Sequence, residues 1–247
     1  MTPAELVKKH LDVANRYKTV YMWGCFGAPV TENLIREKAA QYPDWYNAER
    51  QSRFRALIGK GYFGFDCVNL TKGLLWGWSG NASAAYGGAK YASNGVPDVS
   101  ADGAIKLCKD VSTDFETIKP GEALWMPGHW GVYIGDGLAV ECTPVWDNGV
   151  QITCVGNLGT KAGYNIRRWT KHGKMPWITY GASAAADAQK NGEIIINGKT
   201  YPIDRLLVGG KNYFAIRDIV DVLNAAGVCK LDVGNKGNIA VLTHKEK

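Results

Sequence analysis

The apolar positions near the start of the chain repeat at helical spacing, with Leu6, Val7, Leu11, Val13 and Ala14 forming a stripe that ends near residue 17. Thr2 stands at the N-cap, Pro3 at the first helical position and Glu5 at the third, the elements of a capping box. Val20–Gly24 follows as a short extended stretch. Residues 31–41 and 44–58 are charged and amphipathic and predict two short helices broken at Pro43. Phe65-Asp66 then leads into 67–76, whose apolar positions 67, 70, 74 and 75 return to helical spacing in spite of Gly73.

Beyond Pro120-Gly121 the period changes to alternation. Glu122–Met126, His129–Ile134, Leu138–Thr143 and Gly149–Val155 predict four strands joined by Gly, Asp and Asn turns. Helices followed by an antiparallel run predict an α+β fold. Residues 181–191 are small and polar, which reads as a linker. The expected organisation is a domain over 1–179, a linker over 180–191 and a small α+β domain over 192–247. In that last domain the pattern predicts strands at Glu193–Ile196, Lys199–Pro202 and Leu206–Val208. The first two flank Asn197-Gly198, a strong hairpin turn. A helix over Phe214–Leu223 and a closing hairpin of 230–233 with 238–243 complete it.

Composition narrows the function classes. The net charge is +6 with a pI near 8.9, yet no Lys/Arg cluster marks a phosphate-tracking stripe, so nucleic acid is not the expected partner. A mildly basic protein is attracted to a polyanionic cell wall. The nine Trp and twelve Tyr fit either an aromatic groove or a large core. Six Cys, at 25, 67, 108, 142, 154 and 229, include no CxxC pair, so neither zinc nor a redox motif is indicated, and no metal or cofactor is expected. The first residues contain no apolar h-region, and no apolar run approaches the roughly 18 residues of a membrane span. The expectation is a protein made in a cytoplasm without a secretion signal. No oligomeric state follows from the sequence.

Cys67 falls at the start of a predicted helix, where the positive end of the dipole favours thiolate. Asp66 opposes this unless its carboxylate turns away to cap the helix. A buried structural thiol is the alternative. His129 begins an alternating strand and shares a face with Gly131 and Tyr133, with Gly131 leaving space beside the imidazole. Trp130, Val132 and Ile134 point to the core. If Gly135-Asp136-Gly137 forms a three-residue loop, Gly131 faces Glu141. Glu141 then lies diagonal to His129 at roughly 7–8 Å. A two-residue loop turns Glu141 to the other face.

Tyr21-Met22-Trp23-Gly24, Phe65-Asp66-Cys67 and the run Gly128-His129-Trp130-Gly131-Val132-Tyr133-Ile134-Gly135-Asp136-Gly137 together resemble the signature blocks of the NlpC/P60 family. These are papain-like cysteine peptidases that cut peptidoglycan stem peptides, and the resemblance covers about residues 1–179. It implies a papain-like fold, N-terminal helices packed on an antiparallel sheet. It also implies Cys67 as nucleophile, His129 as base and Glu141 as the residue orienting the imidazole. Tyr21, Trp23, Asp66 and Trp130 are then expected to bind substrate. The family usually has Ser-Gly after the nucleophile, where this chain has Val68-Asn69, so the bond cut is left open. The segment between Gly24 and Cys67 is also longer than usual.

The C-terminal stretch, with Ile195-Ile196-Asn197-Gly198-Lys199 and Leu207–Ile219, is similar to the copper-amine-oxidase N-terminal-like stalk domain. Its copper does not carry over, since only His244 and Cys229 are soft ligands there. Wall anchoring is the functional expectation; a spacer or oligomerisation unit is the alternative. The expected protein is a phage endolysin acting on the wall after release at lysis. A cysteine amidase or acyltransferase on the same fold, or a non-catalytic wall-binding protein, are the other readings.

Overall fold

The computed structural model describes residues 1–180 and, beyond them, 192–203, 205–208, 211–214, 216–228, 231–236 and 239–244. The chain divides into two units, Met1–Tyr180 and Gly181–Lys247. Tyr180 is tied into the first unit, donating its hydroxyl to the Gly121 carbonyl at 2.7 Å and accepting the Met175 N–H at 3.1 Å. The predicted linker over 181–191 lies outside the described residues.

The first unit opens with α1 (Pro3–Arg16), whose capping box is formed: the Thr2 N–H donates to Glu5 at 2.8 Å and the Glu5 N–H to Thr2 Oγ1 at 3.3 Å. Next come β1 (Lys18–Tyr21), β2 (Phe26–Pro29), α2 (Glu32–Gln41), α3 (Ala48–Arg55) and β3 (Tyr62–Phe65). β3 pairs in parallel with β1 and antiparallel with β2 in a small sheet that the alternation did not announce, because Phe63 and Phe65 are buried beside a buried glycine. α4 (Cys67–Leu75) follows, with every residue buried, and then α5 (Ala101–Leu107).

The remaining strands are β4 (Lys109–Ser112), β5 (Ala123–Met126), β6 (His129–Gly135), β7 (Leu138–Thr143), β8 (Gly149–Val155), β9 (Ile166–Arg167) and β10 (Lys171–Lys174). They form a seven-stranded sheet in the order β4-β10-β5-β6-β7-β8-β9. The sheet is antiparallel except at β8–β9, so the first unit is α+β with mixed sheets. Helix α4 packs on β6, β7, β2 and α1, and its Leu70 and Leu74 share one core with Trp130, Val132 and Val140.

A hydrogen-bond chain runs through this core. The Trp130 indole N–H donates to Thr71 Oγ1 at 3.2 Å, and that oxygen lies 3.0 Å from His10 Nε2. His10 Nδ1 lies 2.9 Å from the Leu6 carbonyl. A carbonyl only accepts, so the proton is on Nδ1, Nε2 accepts from Thr71, and the ring is neutral. Burial depresses the His10 pKa from 6.5 to about 4, against the Leu6 bond that favours the charged form.

The β6–β7 register pairs Gly131 with Glu141, as the three-residue loop required, but by another route. The turn has two residues, Asp136 and Gly137, with φ of 53° and 69°, the left-handed pair that a tight hairpin demands. Ile134 is the extra residue of a bulge between Tyr133 and Gly135, which restores the face that a two-residue turn alone would have reversed.

In the second unit β11 (Gly192–Ile196) and β12 (Lys199–Ile203) pair across Asn197-Gly198. β13 (Arg205–Val208) pairs with β14 (Lys211–Phe214), then α6 (Ile216–Ala225) precedes the hairpin of β15 (Leu231–Lys236) and β16 (Ile239–His244). Phe214 therefore ends a strand rather than starting the helix, because 211–214 pairs back onto 205–208.

The His10 chain makes stability dependent on pH. Between pH 6.5 and about 4 the unfolded chain takes up a proton that folded His10 refuses, so stability falls as the pH is lowered through that window. The slope from this group is at most roughly 1.4 kcal/mol per pH unit. Thr71→Val leaves the Trp130 N–H and His10 Nε2 unmatched and is expected to cost about 1–3 kcal/mol in urea unfolding at pH 7; an unchanged midpoint would remove the chain from the account of the core.

Candidate active site

Cys67 is the first residue of α4, and Asp66 is its N-cap. The Asp66 carboxylate accepts the Asn69 N–H at 2.8 Å on one oxygen, and the Gly24 N–H at 2.9 Å and Asn69 Nδ2 at 2.6 Å on the other. Asp66 borders the cleft, but its acceptor positions are taken up in joining the Gly24 turn to α4. The Cys67 thiol lies 3.9 Å from the Gly128 carbonyl, and the backbone N–H groups of Val68, Trp130 and Cys67 itself face its sulfur. The sulfur thus rests against the backbone on both sides of His129.

The helix dipole does not prevail at this thiol. Burial pushes the Cys67 pKa up, Asp66 pushes it further, and the three N–H groups only partly oppose them, leaving it at about 12. In the unliganded protein Cys67 is a neutral thiol, and it makes no hydrogen bond to the imidazole. Such bonds are often looser before substrate binds.

His129, at the start of β6, places Nε2 2.6 Å from Glu141 Oε2 on β7. The other ring nitrogen, Nδ1, is left free of Glu141. Glu141 is fully buried and holds two further donors, the Thr153 hydroxyl at 2.7 Å and Arg167 Nε at 2.6 and 2.8 Å to its two oxygens. Burial raises the Glu141 pKa, but the bonds from His129 and Arg167 outweigh it and hold the carboxyl below its usual value. Arg167 is itself packed between Trp146 and Trp169, its guanidinium 4.8 and 5.8 Å from their ring centroids.

Trp169 fills the space predicted beside the imidazole. Its ring stacks on His129 with centroids 5.4 Å apart and planes within 8°. A Cβ at Gly131 would lie 2.8 Å from that ring. The missing side chain therefore makes room for Trp169, which clamps the imidazole, and not for substrate.

A cleft of about 660 Å³ reaches Cys67 and Gly128. Tyr21 and Trp23 line it, Tyr21 buried and Trp23 44% exposed. The Tyr21 phenol is kept protonated by burial and by its neighbours Cys67 and Asp66. Trp130 does not line the cleft: its side chain is 1% exposed and committed to the core through Thr71, as strand alternation requires, so only its backbone N–H serves Cys67.

Two positioning residues had no sequence signal. Asp102, at the start of α5, accepts the Gly128 N–H at 2.8 Å and the Trp125 indole N–H at 2.9 Å, fixing the turn that presents His129. Arg167 sits on a strand of two residues with no recognisable spacing from Glu141. Among the described residues no three His, Cys, Asp or Glu side chains form a group that could hold a metal ion, and no helix is long and apolar enough to cross a membrane. Compared with known families and curated proteins, the chain matches no family model and no curated protein.

The Glu141 cluster makes a stability prediction. Arg167→Met takes the guanidinium away from a buried carboxylate and is expected to cost about 3 kcal/mol. Adding Glu141→Gln should recover part of that loss, since the buried charge then disappears as well. Denaturant unfolding of the single and double variants checks this; additive losses would show that Arg167 acts elsewhere.

Proposed function

We propose that this chain is a papain-like cysteine hydrolase of the NlpC/P60 kind that opens an amide bond in the stem peptide of bacterial peptidoglycan. The observation that carries the reading is the 2.6 Å bond from His129 to buried Glu141, with the Cys67 sulfur lodged between the backbone of Gly128 and Trp130. Orientation of the imidazole through Nε2 leaves Nδ1 to serve the thiol.

In the proposed reaction Nδ1 of His129 takes the thiol proton as the sulfur attacks the amide carbonyl. The backbone N–H groups around Cys67 and the protonated Tyr21 phenol are the donors nearest the developing oxyanion. The imidazolium then protonates the leaving amine as the C–N bond breaks, and a water molecule, deprotonated by the same imidazole, hydrolyses the thioester. Because burial and Asp66 hold the free thiol protonated, proton transfer accompanies attack in the proposed reaction.

The proposal extends to a lysin in which the first unit cuts and the second anchors to the wall. A two-unit chain fits that division, since tethering raises the local concentration of the cutting site. Such an enzyme is made in the cytoplasm and meets its substrate on release at lysis.

Two measurements test this. Purified protein added to isolated walls should release new amino groups, and Cys67→Ala and His129→Ala should abolish that release while leaving wall binding intact. Glu141→Gln should retain part of it, because an amide still orients the ring. Mass spectrometry of the digest reports which amide is opened and whether water is the acceptor; walls left intact by the wild type would sink the reading. Separately, iodoacetamide should label Cys67 at pH 7 with the help of His129. In His129→Ala the rate should fall and then climb about tenfold per pH unit towards 12, following the thiolate fraction. Equal rates in the two proteins at pH 7 would show that the imidazole does not serve the thiol.

A further inference from the structure

Lys38 is set apart from the other cations of the first unit. It lies in the last turn of α2, is 6% exposed, and lines the same cleft as Cys67. Its ammonium donates to Gln41 Oε1 at 3.0 Å and stands 5.8 and 5.9 Å from the ring centroids of Tyr42 and Tyr86. Among the described residues no carboxylate pairs with it.

The other buried lysine of the cleft shows the usual arrangement. Lys72, 3% exposed, is paired with Asp98 and gives a second hydrogen bond to the Val99 carbonyl at 2.8 Å. The second oxygen of Asp98 accepts the Tyr91 hydroxyl at 2.7 Å. Asp98 is thus engaged on both oxygens, and Asp66 is likewise engaged by Gly24 and Asn69. The third carboxylate of the cleft, Asp102, accepts the Gly128 and Trp125 N–H groups, and none of the three forms an ion pair with Lys38.

A buried ammonium has three protons to place and is costly to leave without an anion. Gln41 accepts one, and the tyrosine faces supply a weak field. Burial holds the Tyr42 and Tyr86 phenols protonated, so the tyrosines bring no negative charge to this cation. What the wall at Lys38 lacks is therefore an anion paired with the ammonium.

We propose that Lys38 is a specificity-determining residue that binds a free carboxylate of the substrate in the cleft leading to Cys67. Taken with the hydrolase reading, on which the naming of the substrate rests, this sets the substrate class as stem peptides that present a free carboxylate to the cleft. Peptides in which that group is a carboxamide are disfavoured: the amide brings no charge, and its NH₂ meets an ammonium that has nothing to accept.

The probes are the tripeptide L-Ala-γ-D-Glu-L-Lys and the same peptide with the glutamyl α-carboxylate converted to carboxamide. Calorimetry on the full-length Cys67→Ala protein reads binding without turnover, and kcat/KM of the wild type on both peptides reads cleavage. The free carboxylate should bind about tenfold to a hundredfold more tightly, the range of a charge-assisted hydrogen bond. Adding Lys38→Met should remove the preference, and Lys38→Arg should keep most of it, which separates lost charge from lost folding. Equal binding of the two peptides, a preference that survives Lys38→Met, or no binding of either would overturn the subsite. If the wild type cleaves both peptides equally, the subsite falls and the hydrolase stands. If neither peptide nor isolated wall is cut while binding still discriminates, the hydrolase reading falls and the anion subsite stands.

Discussion

The Thr71 hydroxyl joins the helix that carries Cys67 to the strand that carries His129. Thr71 lies one helical turn beyond Cys67, Trp130 is the residue after His129, and the indole N–H reaches the hydroxyl at 3.2 Å in a dry core. The hydroxyl proton goes on to His10, so α1 is bound into the same junction. Away from water each of these groups has few alternatives, and leaving one unmatched costs more than the bond itself contributes. Any slide of α4 along β6 therefore breaks a buried bond. The depressed pKa of His10 belongs to the same geometry: a neutral ring is needed for Nε2 to accept from Thr71, and burial supplies it.

A second constraint lies at Glu141. Taking a carboxylate fully out of water is expensive, and three donors from β6, β8 and β9 offset that cost. The cluster stitches the strands around His129 together, while Trp169 closes over the imidazole from the side that Gly131 leaves open. Asp102 performs the matching task at Gly128. The imidazole is thus held by a carboxylate, an indole and an anchored turn, each from a different segment of the chain. Cys67 is fixed by its place at the head of a wholly buried helix.

What could be read in the sequence follows from how local each determinant is. The capping box at Thr2-Glu5, the α4 stripe and the strands Leu138–Thr143 and Gly149–Val155 depend on spacing within one element, and they form as read. The pairing of Gly131 with Glu141 was also legible, though for an incomplete reason: alternation gives faces, but nothing in Tyr133-Ile134-Gly135 marks the bulge that restores the register. Phe63 and Phe65 gave no clear strand signal because the residue between them is a buried glycine, so alternation with polar residues is absent. Arg167, Asp102 and Lys38 were invisible for a different reason. Each acts across a tertiary contact, at sequence separations no motif records. Trp130 shows that side-chain direction outranks proximity in sequence: adjacent to His129, it necessarily points to the opposite side of β6.

The charge of buried Glu141 is shared between two partners. A lone buried Glu141 would stabilise an imidazolium strongly, but Arg167 shares that carboxylate through both oxygens and offsets much of its charge. What the carboxylate supplies is a fixed ring. At the thiol, burial and Asp66 keep sulfur protonated when no substrate is present. A buried neutral thiol avoids the cost of holding a bare thiolate out of water. In the proposed reaction charge would develop only as the sulfur bonds to carbon, where the N–H groups of Cys67, Val68 and Trp130 already converge. Interactions that strengthen as the reaction proceeds lower its barrier, whereas the same energy committed to a resting thiolate would stabilise the starting state.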